Sequence, residues 1–498
     1  MSFFDFFEKE RSVPLHPKEE PLFDPPPEAE ALAAELGDSG DVGRRDIKLF
    51  DGTAASLFFI DGLVDSVQLG QDVLRPVMRP RPDVLRRRDI VTYICESVSP
   101  NLTVKTCGKL SQAVELVLQG WTVMCVGDKA LAFEAKGGET RSVTEPSVEN
   151  VVKGSKDAFV ETLRTNTALL RRKLRNKNLR FTERTLGRQS GTKVSVVTIE
   201  GLTNPALLKD IEKRLDAVDT DGLLTPAAVE EHIVRSCVDT VFPMLSYTDL
   251  VDVFAEGVME GRAGLLVDGL PVGYLMPATA KDFMTAPEDA GNNHIVASII
   301  RFLRYVALIV TLLLPGFYVA VATFHQEMIP YKLARAIVAS KQSVPFSTTV
   351  EVIGMLIAFE ILQEAGLRLP KSIGQTVSIV GALIVGQSAV EAKIFSPVVV
   401  IIVAIAGVAG YTIPNQDFAS AVRVWRFVVT AAGAVFGMLG VAGAGMVLTY
   451  HMCTIETFGV DYMTGIAGGK SNVARRPFTE KKLRREDVKP VNVRREGR

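Results

Sequence analysis

Between Tyr305 and Ile455 the chain holds four long stretches with no Asp, Glu, Lys or Arg: Tyr305–Gln326, Ser372–Val390, Ile394–Gln416 and Phe427–Ile455. About 20 apolar residues in a helix cross the hydrocarbon core of a bilayer. A soluble alternative would have to bury four long uncharged helices inside one domain. The pattern therefore predicts a polytopic α-helical membrane domain over residues 299–460. It argues against a soluble single-domain enzyme.

A further apolar segment, 346–366, carries Glu351, Glu360 and Glu364. A carboxylate at bilayer depth is costly and belongs against a protein interior or a wet cavity. Beyond the last run, Lys470 to Arg498 holds 11 Lys or Arg against 4 Asp or Glu, in a chain whose formal net charge is only -1. A basic tail (461–498) favours the cytoplasmic side, with anionic lipid as a possible contact. The near-neutral total gives no pull towards nucleic acid. If a charged N-terminal region of about 300 residues also stays cytoplasmic, the crossings must be even in number. Then either the Glu-bearing segment does not cross or one span is double.

The N-terminal part reads differently. Residues 1–44 form a proline-rich lead-in without the basic n-region or cleavage site of a signal peptide. From 45 the pattern alternates short apolar strands with helices, so the fold class is an α/β (or α+β) cytoplasmic N-terminal region ahead of the membrane domain. Subdomain 1 (45–150) carries strands at 53–60, 121–126 and 129–135, a weaker one at 89–94, and a helix at 109–119. Subdomain 2 (151–298) carries a helix within 156–177 and strands near 180–186 and 192–199. Its next helices start at Asn204-Pro205 and Thr225-Pro226, each a capping residue with proline behind it. Two strands about Asp268-Gly269 complete it.

Motifs for metal or nucleotide chemistry are missing from this reading. The five cysteines form no CxxC pair, the five histidines show no ligand spacing, and Gly468-Gly469-Lys470-Ser471 lacks the first glycine of a phosphate loop, with Thr464 in its place. No cofactor, no metal and no catalytic residue is expected. The informative groups lie in the apolar region. Pro315-Gly316 interrupts a hydrophobic helix, where a kink is expected. His325 and Glu327 follow it and suit either cation handling or plain interfacial hydrogen bonding. Glu360 and Glu364, four apart, share one helical face that lines a pore or glues helices together. Glu351, Gln375 and Gln387 add polar groups that need partners or water. Gly433, Gly437, Gly440 and Ala444, spaced 4, 3 and 4, lie on one side of a helix and permit close packing.

Long collinear blocks carry a resemblance. LLLPGFYVAVATFHQEMIP (312–330) and the run from Val344 to Gly407 resemble the membrane region of the A subunits of GerA-type spore germination receptors, a family that includes the SpoVAF-type homologues. FFIDGLVD (58–65), LRTNTALLRRKLRNKNLR (163–180), GRQSGTKVSVVTIEGLTNP (187–205) and EGRAGLLVDGLP (260–271) agree with it. The similarity covers roughly 45–465.

The resemblance implies a protein of the bacterial spore inner membrane, multi-pass, with its soluble region in the cytoplasm. It implies a homo-oligomer acting with a transporter-like B subunit and a lipoprotein C subunit, or with another spore membrane partner if it is of the SpoVAF type. The implied activity is a germinant-gated monovalent cation channel, not an enzyme, with the soluble strands near Asp268-Gly269 placed to couple to the first span. A SpoVAF-type accessory channel, a secondary transporter and a non-conducting scaffold are the rival readings.

Overall fold

The computed structural model describes residues 24–79, 90–95, 103–135, 137, 155–234, 240–368, 386–464 and 466. It divides into two compact units, Met1–Glu139 with Arg175–Lys177, and Thr140–Leu174 with Asn178–Arg498. The second thus joins two regions that the sequence separates near residue 299.

The first unit is built on an antiparallel sheet of β1 (Val42–Lys48), β2 (Ala54–Ile60), β3 (Val104–Cys107), β4 (Thr122–Val126) and β5 (Lys129–Phe133), in the order β1-β2-β4-β5-β3. Strands β4 and β5 are apolar runs joined through Gly127, whose φ of +61° an L side chain resists. Their Met124, Leu131 and Phe133 meet Leu57 and Val73 in one core. The folded region begins ahead of residue 45. Helix α1 (Ala29–Leu36) buries Leu32 and Leu36, and the Asp24 carboxylate accepts from the Ser111 N–H at 3.1 Å, at the start of α2 (Leu110–Leu118). Residues 90–93 form a helical turn, not the strand expected over 89–94. Val91 and Ile94, three apart, both go into the core, which is the helical rather than the alternating period.

The second unit opens with α3 (Leu163–Lys173) and an antiparallel sheet, β6 (Leu179–Leu186), β7 (Thr192–Ile199), β8 (Ser246–Thr248), β9 (Ala263–Val267) and β10 (Gly273–Met276), ordered β6-β7-β9-β10-β8. Both faces of its inner strands are covered, so β9 and β10 are buried throughout, while the outer strand β6 keeps Glu183 and Arg184 exposed. Val194, Val196, Leu265 and Tyr274 face α4 (Pro205–Asp216) and α5 (Pro226–Ile233). Val197, Leu266 and Leu275 face α3 and α6 (Val251–Met259). Gly264 and Gly273 admit the Phe254 ring of α6; a Cβ at either would lie 2.2 or 2.6 Å from it. Asn204 and Thr225 cap α4 and α5, accepting from Ala206 N at 2.9 Å and Ala228 N at 3.3 Å.

The rest of this unit is helical: α7 (His294–Phe324), α8 (Tyr331–Lys341), α9 (Thr348–Arg368), α10 (Pro397–Gly410) and α11 (Gln416–Thr454), followed by a two-strand clip, β11 (Glu456–Thr457) and β12 (Val460–Asp461). Among the described residues, α7 and α11 are long and apolar enough to cross a membrane, and α10 is a shorter apolar helix. Helix α7 runs through Pro315 to Phe324 without ending at the proline. Helix α11 is not one rod. Gly437 has φ 60° and ψ -142°, outside the helical region, and the chain doubles back there. Leu448 returns to the cluster of Phe418 and Val422, and the His451 ring comes within 5.9 Å of Trp425, centroid to centroid. The two arms therefore form a helical hairpin.

Candidate functional site

The helices pack where side chains are smallest. A Cβ on Gly433 would lie 2.7 Å from the Gly316 carbonyl oxygen, and one on Gly316 would lie 3.0 Å from the Val429 oxygen. Here α7 and the first arm of α11 touch backbone to backbone. Gly407 of α10 likewise receives the Phe359 ring of α9. Gly433, Gly437, Gly440 and Ala444 do not share one helix face. Gly437 is the reversal, Gly440 lies against Ala432 across the hairpin, and Ala444 packs on the Ala320–Val429–Val441 cluster.

Glu360 points from α9 to the first arm of α11. Arg423 Nη1 donates to Glu360 Oε2 at 3.3 Å, and Arg426 Nη2 donates to Oε1. Arg426 is buried, with its guanidinium also over the Phe427 ring. Two guanidiniums thus converge on this one carboxylate. The anionic face expected from Glu360 and Glu364 is therefore not a free one: Glu360 is committed to α11, while Glu364 is exposed.

Glu351 lies in the first turn of α9, fully buried. Its Oε2 accepts from the Ser396 N–H at 2.9 Å, and Lys341 Nζ stands 3.6 Å from Oε1. His325 Nδ1 and Glu327 Oε1 are 3.6 Å apart just beyond α7, and His325 borders Gly437 at the hairpin tip. Gln387 is exposed and donates to Glu391 at 2.9 Å. Gln375, Cys237 and residues 467–498, with the phosphate-loop-like run and the basic tail, lie outside the described residues. Among those described, no group of three or more His, Cys, Asp or Glu gathers. Cys125 is buried in the first unit, and burial pushes its thiol up to about 12.

At the opposite end, the helices and the β6–β10 domain share a core. Phe283 stacks on Phe418 with ring planes 2° apart, and Phe242, Ala278, Leu448 and Tyr462 join them. Asp289 accepts from Arg304 Nη1 at 2.6 Å and Arg301 Nη2 at 3.2 Å, all three buried at the start of α7. Arg262 Nη2 donates to Asp282 Oδ1 at 2.7 Å. Burial pushes the Asp282 carboxyl up, but the Arg262 charge and hydrogen bond outweigh it and hold the group below the usual carboxylate range. The Ala280 N–H donates to the Tyr462 backbone carbonyl oxygen at 2.9 Å, so the chain after α11 returns to the side on which the sheet lies.

The sequence agrees with this arrangement at a wider scale. The model of the Bacillus/Clostridium GerA spore germination protein family matches residues 30–488. The chain belongs to the GerA spore germination protein family. It is 34% identical to spore germination protein KA of Bacillus subtilis over 493 residues, covering 97% of this chain and 90% of that protein. It is 33% identical to spore germination protein B1 of the same organism, covering 83% of this chain and 85% of that protein. The N-terminal domain of the A subunit of the Bacillus megaterium spore germinant receptor GerK3 aligns with 51% of this chain and 97% of its own length, at 22% identity and a TM-score of 0.39.

Three partners in this GerA-family chain escape the sequence reading: Arg423, Arg426 and Asp289. The first two stand just before the uncharged run at Phe427, where they pass for ordinary flanking charges. Their signal was Glu360 itself, since a carboxylate in an apolar helix calls for a cation on a facing helix.

Proposed function

We propose that the chain is a membrane subunit of a spore germination complex, forming a homo-oligomer that passes monovalent cations when a germinant is sensed. The helices α7, α9, α10 and the two arms of α11 are among the spans, in a multi-pass arrangement in the spore inner membrane. The soluble region and the basic tail lie together on the cytoplasmic side, in keeping with the Ala280–Tyr462 bond. A transporter-like B subunit and a lipoprotein C subunit are the partners, or another spore membrane protein for a SpoVAF-type role. The observation that carries the reading is the shared core of Phe242, Phe283, Phe418 and Tyr462. It makes the β6–β10 domain and the helices one mechanical body, as transmission of a signal into the helices requires.

One observation favours the non-conducting scaffold. Glu360, paired with two arginines, serves as well to lock α9 onto α11 as to tune an ion path. Cation flux through the purified chain in proteoliposomes, alone and with its membrane partners, separates the two. Electrogenic, non-saturating potassium flux that changes in Glu360→Gln at matched assembly supports the channel. A well-inserted oligomer that passes no ion in either setting removes it, and saturable counterflow would instead indicate a transporter.

A further inference from the structure

The carboxylates of α9 differ in how completely they are satisfied. Glu360 has two guanidiniums. Glu351 is 0% exposed, yet its Oε1 accepts no hydrogen bond among the described residues. Two more buried oxygens at this end of α9 and α10 lack a hydrogen-bond partner among the described residues, Ser396 Oγ and Tyr318 Oη. Ser396 is the N-cap of α10, but its hydroxyl does not cap the helix, while its N–H is spent on Glu351. Tyr318 of α7 packs with Val352, the neighbour of Glu351, and with Val399 of α10. A carboxylate oxygen and two hydroxyls, all buried and all with accepting capacity to spare, are the ligand type that a monovalent metal cation prefers.

The cation paired with Glu351 is Lys341, whose ammonium lies 3.6 Å from Glu351 Oε1 and also donates to Thr348 Oγ1. Its side chain is 26% exposed and sits at the last residue of α8, a helix with no buried residue. An ammonium on a flexible four-carbon stem reaches water from there with little rearrangement.

We propose that Glu351, Ser396 and Tyr318 form a buried binding site for a monovalent metal cation, in which the Lys341 ammonium is a tethered competitor. The charge balance fixes the exchange. When Lys341 withdraws, the buried carboxylate is left uncompensated, a costly state that one bound metal cation relieves. This deepens the function proposed above by naming where a cation dwells, and it needs no conductance to be detected.

The test uses the full chain in neutral-lipid nanodiscs, unfolded by heat in KCl or in choline chloride at equal ionic strength. Ligand binding to the folded state alone raises Tm with ligand concentration. With the competitor removed, Lys341→Met gains Tm with each tenfold rise in KCl, more than the wild type does, and Lys341→Met/Glu351→Gln gains none. A Lys341→Met protein indifferent to potassium overturns the site, as does a gain that survives Glu351→Gln. The first outcome would assign the carboxyl to a proton or to water. Should Lys341→Met fail to fold, equilibrium rubidium binding decides: a loss in Glu351→Gln relative to wild type supports the site, and equal binding overturns it. Potassium-dependent stabilisation without flux keeps the site and removes the channel; flux without such stabilisation does the reverse.

Discussion

At the end of the helices nearest the β6–β10 sheet, buried charges are closed off by opposite charges: Asp289 with Arg301 and Arg304, Asp282 with Arg262. Aromatic rings from the sheet domain, the hairpin and the clip fill the space between them. At the other end, α8 buries nothing, the buried Glu351 carboxylate is matched only by a partly exposed ammonium 3.6 Å away, and the helix reversal rests on a single glycine. Closed pairs in low dielectric resist rearrangement, since moving either partner strands the other. Open ones permit it. The contrast assigns rigidity to the sheet-side end and adjustability to the far end.

The largest effect that would break this contrast is at Asp289. Replacing it by Ala strands two buried guanidiniums and should destabilise the second unit by about 3–5 kcal/mol. Chemical denaturation followed by Trp425 fluorescence checks this, and a near-neutral result would show that the joint is not locked by charge. Next in size is Gly437→Ala, which forces an L side chain into a region reserved for glycine, at a cost of about 1–3 kcal/mol. Limited proteolysis should then find the tip of α11 opened while the sheet domain keeps its protection.

A pH series sharpens the same comparison. The folded pKa of Asp282 is depressed, so the stability it adds is complete above the unfolded aspartate value of about 3.9 and is lost as pH falls through the lower folded value. The penalty of Asp282→Asn should therefore hold steady from pH 7 down to about 4 and shrink only below that. A penalty already fading at pH 6 would mean that the carboxyl is not held by Arg262. The smallest effect belongs to open space inside a helix: Gly443→Ala, where a Cβ would meet nothing within 4 Å, should raise stability by about 0.5–1 kcal/mol through helix propensity alone.

Most of the sheet architecture is written locally. The Asn204 and Thr225 caps and the glycines flanking β4, β5 and β9 act within a few residues of their effects, so each element could be read in place. Strand β8 could not, because three residues carry no period. The helical region yields less for a physical reason. Arg423 and Arg426 reach Glu360 across 63 and 66 residues of sequence, a pairing that only the fold creates. Gly437 misleads by local logic: spacings of 4, 3 and 4 among small residues suit a packed helix face and a folded hairpin equally, and only the backbone dihedrals distinguish them.

The close crossing of Gly316 with Gly433 has a mechanical consequence. Helix α7 is clamped at Arg304 and touches α11 backbone to backbone at Gly316, which makes that crossing a fulcrum. At 1.5 Å per residue the arm below it is about 18 Å long and the arm above it, to His325, about 14 Å. A tilt applied at the clamp then emerges beyond the fulcrum reversed in direction and reduced to about three-quarters. That reversed stroke arrives at the start of α8, the helix that carries Lys341 at its other end.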